Sequence, residues 1–125
     1  MDDERRYHRV PFECFVDFRT ASCEYICELI DISISGALIA ACTGATPGPD
    51  TPCQLIISLD EEKKVQITMD GRVARKIENR VGIYCESIDE DSMIHLRKLI
   101  EYNLGDVELV NRDFEALISE HKSVG

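Results

Sequence analysis

The sequence is poor in aromatic residues and in basic charge, and it contains no long apolar run. None of its 125 residues is Trp, and 14 Lys and Arg stand against 24 Asp and Glu, for a net charge of −10. No apolar stretch approaches the ~20 residues of a membrane-spanning helix, and none follows the charged N-terminus as in a secretory signal. We therefore expect a cytoplasmic protein without membrane insertion. Such an acidic chain also disfavours nucleic acid as a partner, because that binding depends on Lys and Arg neutralising phosphates.

Sequence patterns for catalysis and metal binding are also lacking. The chain has no nucleophile in a glycine elbow, no HExxH pair and no phosphate-binding glycine loop. Its six cysteines include no CxxC pair, and no His lies near them at zinc-site spacing. Since most of the cysteines lie in apolar stretches, we interpret them as structural thiols. We predict neither an enzyme nor a protein with a metal or cofactor.

Short apolar and alternating segments predict strands from Pro11 to about Ser87. Phe12, Cys14 and Val16 alternate with polar residues, although Phe15 breaks the strict alternation. A stretch dense in Gly and Pro at 43–52 marks a surface loop. About six strands joined by short connections favour an antiparallel barrel or sandwich.

A helical pattern replaces the strand pattern after residue 88. Asp89 or Asp91 can cap a helix whose apolar positions recur at the 3.6-residue period. Gly105 interrupts this helix, and Asp106 can cap a second one with one apolar face. We predict two C-terminal helices that pack on the barrel around a single core.

The basic residues are concentrated ahead of the first strand. Arg5, Arg6 and Arg9 lie within five residues, and removing these three positive charges from the net −10 leaves −13 for the rest. A small basic site on an acidic protein suits a small anion, and the arginine fork fits phosphate oxygens and the O6 and N7 atoms of guanine. Because residues 1–10 hold little to bury, we predict a flexible tail there, followed by one domain over residues 11–125.

A second polar segment, DISISG, occupies residues 31–36 at the junction of the second and third predicted strands. Ionised Asp31 is an acceptor and complements the N1–H and amino donors of guanine. Ser33 can donate to a phosphate oxygen, and Gly36 lets the chain approach a ligand closely. Each segment alone has an ordinary explanation as a solvated tail or a turn, whereas the pair indicates a ligand site.

RRYHR and DISISG resemble the two signature motifs of the PilZ family, RxxxR and [D/N]xSxxG, in the same order. The matching residues are Arg5, Arg6, Arg9, Asp31, Ser33 and Gly36. The C-terminal segment HLRKLIEYNLGDVELVNRDF is similar to that of single-domain PilZ proteins from gammaproteobacteria. The resemblance therefore extends over the whole chain.

This resemblance implies a mainly β fold, a six-stranded antiparallel barrel with C-terminal α-helices packed on it. It also implies a receptor for cyclic di-GMP, bound as one molecule or as an intercalated pair under the N-terminal arginine segment. An unknown downstream protein would read the changed surface. Some close members stack an aromatic ring of the fifth strand on a guanine. The nearest position here is Val73, with Tyr7 or Arg75 as alternatives for that role.

Two other functional classes remain open. The first is a PilZ-like adaptor that works without the nucleotide in type IV pilus or motility systems, and the intact motifs count against it. The second is a single-strand nucleic-acid binder on a small barrel. That class needs a basic groove with exposed aromatic residues, and the charge outside the arginine segment counts against it.

Overall fold

A computed structural model describes residues 8–40, 47–60, 62 and 64–124, with the backbone alone at 77 and 119–124. Six strands precede two helices along the chain. They are β1 (Val10–Arg19), β2 (Glu24–Ser33), β3 (Gly36–Ala40), β4 (Pro52–Ser58), β5 (Gln66–Ile77), β6 (Arg80–Ile88), α1 (Glu90–Leu104) and α2 (Val107–Val124). All strand pairs are antiparallel, and they close a barrel in the order β1-β2-β3-β6-β5-β4. The predicted fold class is confirmed.

The core fills the inside of this barrel. Alternate residues of each strand point inward, as Val16 and Phe18 do in β1, where both are at most 2% exposed. Phe15 is 68% exposed, so its apolar side chain faces outward. Inward and outward side chains therefore alternate along the whole of β1. Closure of the barrel pairs β1 with β4 and removes a free sheet edge that would invite aggregation.

The first helix begins at a well-defined cap. The Asp89 carboxylate accepts hydrogen bonds from the Ser92 hydroxyl at 2.7 Å and the Ser92 backbone N–H at 3.0 Å. The Ser92 hydroxyl oxygen in turn accepts from the Thr68 backbone N–H of β5 at 2.9 Å, which ties the start of α1 to the barrel. At the other end Gly105 adopts φ 73°, and its N–H donates to the Glu101 carbonyl. Of the two residues predicted as alternatives for this cap, Asp89 is the one that forms it, and Asp106 accepts from the Leu109 N–H at the start of α2 as predicted.

The helices cover the barrel with apolar side chains. Leu96 and Ile100 of α1 are at most 1% exposed, and Val110 of α2 is fully buried. Within the described ranges, no helix has the length and apolar character needed to cross a membrane.

Among the residues that the structure describes, four cysteines are free thiols and one is disulfide-bonded. Cys14, Cys23, Cys53 and Cys85 are free. Burial raises the pKa of Cys53 to about 11 and that of Cys85 to about 12, so both thiols are protonated at neutral pH. Cys27 is disulfide-bonded, and the prediction of a structural thiol is wrong for this residue.

Candidate ligand-binding site

The two sequence motifs meet where β1 begins beside the end of β2. Val10 pairs with Ile32 across these strands. Arg9 and Asp31 directly precede these two residues in the sequence, so they lie close together. The Nη1 group of Arg9 donates a hydrogen bond to Asp31 Oδ1 at 2.7 Å. Both side chains are partly exposed, by 29% and 22%, so a ligand in solution can reach the pair. The tertiary structure thus joins the last arginine of one motif to the first residue of the other.

The remaining arginines of the first motif, Arg5 and Arg6, lie outside the described residues, as does Tyr7. β1 begins at Val10, which is buried, and the division into a tail at residues 1–10 and a domain at 11–125 stays a prediction. The flexibility of the tail stays a prediction.

Ser33 is only 1% exposed. Its hydroxyl oxygen accepts from the Ser35 backbone N–H at 3.2 Å and lies 3.2 Å from the Ser35 hydroxyl. Its side chain therefore stabilises the turn between β2 and β3. A contact between Ser33 and a phosphate oxygen stays a prediction.

Gly36 lies at the closest approach of β3 to β6. A Cβ on Gly36 would fall 2.0 Å from the carbonyl oxygen of Ile83 and 3.4 Å from the Cα of Tyr84. Its φ is outside the left-handed region, so lack of space, rather than backbone freedom, requires glycine here. The close neighbour that the structure gives Gly36 is a strand, and an approach to a ligand stays a prediction.

Val73 points into the barrel and is fully buried. Its backbone N–H donates to the Thr51 carbonyl at 2.9 Å, and its own carbonyl accepts from the Asp50 N–H at 2.8 Å. A side chain in this place cannot stack on a ligand outside the barrel. Two residues further along β5, Arg75 faces outward, with its Cγ 3.6 Å from the position of a Cβ on Gly82.

The outward face beside Asp31 can be followed across four strands through the cross-strand register. In one row Asp31 lies opposite Leu38, Leu38 opposite Gly82, and Gly82 opposite Arg75. In the next row the order is Ser33, Gly36, Tyr84 and Arg72. We call these eight residues the β2-β5 face. Tyr84 is the exposed aromatic residue of this face, at 51%, and the sequence motifs did not single it out because it lies on a different strand from both of them.

The charges of the β2-β5 face are uneven. The Arg72 side chain donates two hydrogen bonds. Its Nε lies 3.0 Å from Glu86 Oε2, and its Nη1 lies 3.0 Å from the backbone carbonyl oxygen of Asp50. Glu86 offsets the charge of Arg72 there.

The segment between the two motif arginines is also attached to α2. The backbone N–H of His8 donates to Asp113 Oδ2 at 2.7 Å, and His8 Nδ1 lies 3.0 Å from the same oxygen. The Asp113 side chain is 6% exposed, so its carboxylate is largely shielded from water. No sequence pattern pointed to Asp113, because 105 residues separate it from His8.

The described residues contain no group of three or more His, Cys, Asp or Glu that could hold a metal ion. The area around Asp31 instead combines the partly exposed Arg9 with small residues and one exposed tyrosine, Tyr84.

The match to known proteins decides the family. The model of the PilZ domain matches residues 3–102, which include both motifs, all six strands and most of α1. The chain belongs to the PilZ family. The predicted family is therefore confirmed, and PilZ domains are generally non-enzymatic receptor or adaptor domains.

Solved structures share the fold of this PilZ protein. The PilZ domain of CeSA from a cellulose-synthesizing bacterium is 22% identical, with a TM-score of 0.57 over 78% of this chain and 96% of that one. The Bacillus subtilis inhibitor of motility, MotI/DgrA, is 20% identical, with a TM-score of 0.66 over 82% of this chain. This chain covers half of the motility inhibitor, and at these identities the likeness shows the fold alone.

Proposed function

We propose that this PilZ protein is a cytoplasmic receptor for cyclic di-GMP that signals to a protein partner through a change in its surface. The observation that carries the proposal is the exposed contact between Arg9 and Asp31. It unites the two family motifs at one place, where a cation for phosphate and an acceptor for guanine lie side by side. The family supports the proposal because PilZ domains are typically receptors or adaptors for this nucleotide.

Arg9 and Asp31 have complementary roles in the proposed site. Arg9 donates to Asp31 through Nη1, and its remaining N–H groups are the proposed donors to a phosphate or to guanine O6 and N7. Asp31 accepts through Oδ1 from Arg9 and can accept from the N1–H and amino group of guanine. Ligand binding would divide the present ion pair between the phosphate and the base.

The proposed role of Asp31 requires discrimination between purines. Adenine does not present the matching pair of donors, so an adenine ligand would leave the desolvated carboxylate unpaired. Unpaired polar groups are a strong source of rejection, and we expect cyclic di-AMP to bind at least ~100-fold more weakly.

The attachment of His8 to Asp113 supplies the proposed route to the surface. His8 lies within the arginine motif, and its backbone and ring both contact α2. A ligand that orders the arginine segment would therefore also stabilise the position of α2 against the barrel. The partner would read the composite surface of arginine segment, ligand and barrel.

Calorimetric titration with cyclic di-GMP tests the function directly, with GTP, GMP and cyclic di-AMP as controls. We expect saturable binding of cyclic di-GMP, and the number of equivalents distinguishes a single molecule from an intercalated pair. No heat of binding at micromolar protein, with a folded sample, would contradict the proposal.

A nucleotide-independent adaptor for pilus or motility systems is the second candidate. The observation in its favour is that Ser33 and Val73 are buried. The family resemblance would place the side chains at these two positions against the nucleotide, and burial makes them inaccessible to it. An adaptor of this kind would show no cyclic di-GMP binding while the barrel remains folded, so the same titration separates the two candidates.

A further inference from the structure

Two large apolar side chains are exposed close together on the outside of β1 and β2. Phe15 is 68% exposed and Ile26 is 74% exposed. Phe15 lies opposite Glu28 and Ile26 lies opposite Asp17, so Phe15 and Ile26 are diagonal neighbours on the same face of the sheet. Such a diagonal spans roughly 7–8 Å and is within reach of an aromatic side chain. One partner can therefore cover both residues at once.

Strand β4 extends this apolar surface. Asp17 also lies opposite Ile56 of β4, and both side chains are half-buried. Asp17 is thus flanked by Ile26 and Ile56 across the strands and by Phe15 two positions earlier in β1. We call Phe15, Asp17, Ile26, Glu28 and Ile56 the β1 patch. Exposed apolar residues that occur singly need no explanation, whereas a contiguous group with a polar rim marks an interaction site.

The charge around the β1 patch is negative. Glu28 within it and Glu13 beside it are both exposed. The sequences of β2 and β4 contain no Lys or Arg, and β1 contains only Arg19, whose Nε lies 2.8 Å from Glu24. Anionic lipids and nucleic acids bind to basic surfaces, so neither suits this patch. A second copy of the chain on a two-fold axis would bring the same carboxylates together. The complementary surface is apolar and basic.

The closed barrel also limits the shape of the partner. β1 is hydrogen-bonded to both β2 and β4, and β2 is hydrogen-bonded to both β1 and β3. Neither of these two strands therefore has a free edge to which a partner could add a strand. The partner must contact the outward side chains instead. An amphipathic helix does so with the residues of one face, at positions i, i+3 and i+4.

We propose that the β1 patch binds a basic amphipathic helix of a partner protein. Apolar side chains of that helix pack on Phe15 and Ile26, and a Lys or Arg beside them contacts the Asp17 carboxylate. The inference goes beyond the proposed function and does not depend on it, because none of these residues contacts the nucleotide in the proposed site.

The test uses the full chain without nucleotide and a labelled synthetic peptide of about 18 residues, with Leu on one helical face and Lys on the other. Fluorescence anisotropy measures binding. We expect Phe15→Ser and Ile26→Ser each to bind the peptide roughly 10- to 100-fold more weakly than wild type, the range for one large apolar side chain buried on binding. Tyr102→Ser is the matched control, because Tyr102 is 89% exposed on α1 and lies outside the β1 patch. It should bind as wild type does.

The charge of the patch is tested by Asp17→Asn. This variant should bind the Lys peptide about 3- to 10-fold more weakly, since a charge-assisted contact is lost. Asp91→Asn is its control, because it removes the same charge from an exposed position on α1. A twin peptide with Glu in place of Lys should not bind. Thermal melts establish that each variant is folded, and if one serine variant does not fold, the other and Asp17→Asn decide the question.

Four results would overturn the proposal. They are equal affinity of the folded Phe15→Ser, Ile26→Ser and Tyr102→Ser variants for the Lys peptide, binding of the Glu peptide as tightly as the Lys peptide, a dimer in sedimentation that Phe15→Ser dissociates, and binding to phosphatidylglycerol vesicles that Phe15→Ser abolishes. Titration of cyclic di-GMP into Phe15→Ser separates this proposal from the receptor function. The variant should bind the nucleotide as wild type does, and absence of nucleotide binding in wild type would contradict the receptor function alone.

Discussion

Arg9 and Asp31 are 22 residues apart in sequence and are joined by one hydrogen bond of 2.7 Å. Arg9 can donate to a phosphate or to guanine O6 and N7, and Asp31 can accept from the N1–H and amino group of guanine. Both side chains are partly exposed, so a ligand can compete for their present contact. Gly36, in contrast, contributes to the site by the space it leaves for β6. At the scale of single residues, the motifs thus contain both exposed side chains that we propose contact the ligand and positions that shape the strands.

Replacement of Arg9 with Ala should weaken binding of cyclic di-GMP by about 2–4 kcal/mol, because a charge-assisted contact in a partly desolvated site is lost. The melting temperature should change little, since partly exposed ion pairs contribute on the order of 1 kcal/mol or less to stability. Calorimetry and thermal denaturation measure the two effects.

Arg19→Ala is the matched control for Arg9→Ala. Arg19 lies at the other end of β1 and forms a comparable ion pair with Glu24, with Nε 2.8 Å from Oε2. This variant should bind cyclic di-GMP with wild-type affinity. Equal affinity in Arg9→Ala and Arg19→Ala would show that Arg9 makes no contact with the ligand.

Gly36→Ala should destabilise the barrel without any ligand present. The new Cβ would meet the Ile83 carbonyl oxygen at 2.0 Å, and β3 and β6 would have to separate, at a cost of about 1–3 kcal/mol or more. Gly82→Ala is the control on the same face, because its Cβ would find only ordinary contacts at 3.6 Å and beyond. Urea denaturation should show the loss for Gly36→Ala alone, and equal unfolding free energies of the two variants would refute the steric explanation.

At the scale of elements, α1 is set on the barrel by the cap formed by Asp89 and Ser92. The hydrogen bonds from the Ser92 hydroxyl and backbone lower the pKa of Asp89 below its ordinary value of 3.8. The hydroxyl oxygen of Ser92 also accepts a hydrogen bond from the Thr68 backbone N–H of β5. The charge of Asp89 therefore affects the attachment of α1 to the barrel.

The cap predicts a pH-dependent difference between wild type and Asp89→Ala. A carboxylate whose pKa is lower in the folded than in the unfolded state stabilises the fold above the unfolded pKa. This contribution is lost as pH falls through the folded pKa. Asp89→Ala should therefore melt at a lower temperature than wild type at pH 7, and the two melting temperatures should converge as pH falls below 3.8.

Asp91→Ala and Asp89→Asn are the controls for the cap. Asp91 lies in the first turn of α1 without capping it, so its removal should lower the melting temperature less than that of Asp89. Asn can accept the backbone hydrogen bond but does not titrate in the acid range. A difference between wild type and Asp89→Ala that is unchanged from pH 7 to pH 3 would contradict the role of the carboxylate charge.

At the scale of the whole molecule, the contact between His8 and Asp113 connects the arginine motif with the last helix. The rest of the chain is strongly acidic, so the arginine segment is a short region of opposite charge in the sequence. A change there reaches α2 through one buried carboxylate. The proposed ligand site and the C-terminal helix are therefore joined by a direct contact.

This connection predicts how amide exchange responds to cyclic di-GMP. Protection should rise chiefly across Arg5 to Arg9 and Asp31 to Gly36, because the ligand orders the first segment against the second. A smaller rise should follow in α2 around Asp113. In Asp113→Asn the rise at Asp31 to Gly36 should remain while that in α2 disappears, and persistence of the α2 effect in this variant would exclude the His8 contact as its route.

Much of the fold follows from patterns between neighbours in the chain. Strand alternation, the Gly- and Pro-rich loop and the helical period after Asp89 predicted six strands and two helices, and the described structure contains them. The two motifs likewise indicated the family, because their residue types and order are local properties. The cysteine pattern did not reveal the disulfide-bonded state of Cys27, since pairing depends on distances between strands.

The amino-acid sequence by itself determined the elements, the acidic surface and the presence of both PilZ motifs, because each depends on residues close together along the chain. The tertiary structure alone decided which motif side chains face outward and what stands beside them. Two register shifts in the pairing of β5 with β6, between Asp70 and Gly71 and between Val73 and Arg75, change which side chains align across the strands. The pairing of Gly36 with Tyr84 and the contact of His8 with Asp113 join residues 48 and 105 positions apart. Such contacts arise only when the barrel closes and brings distant strands and helices together.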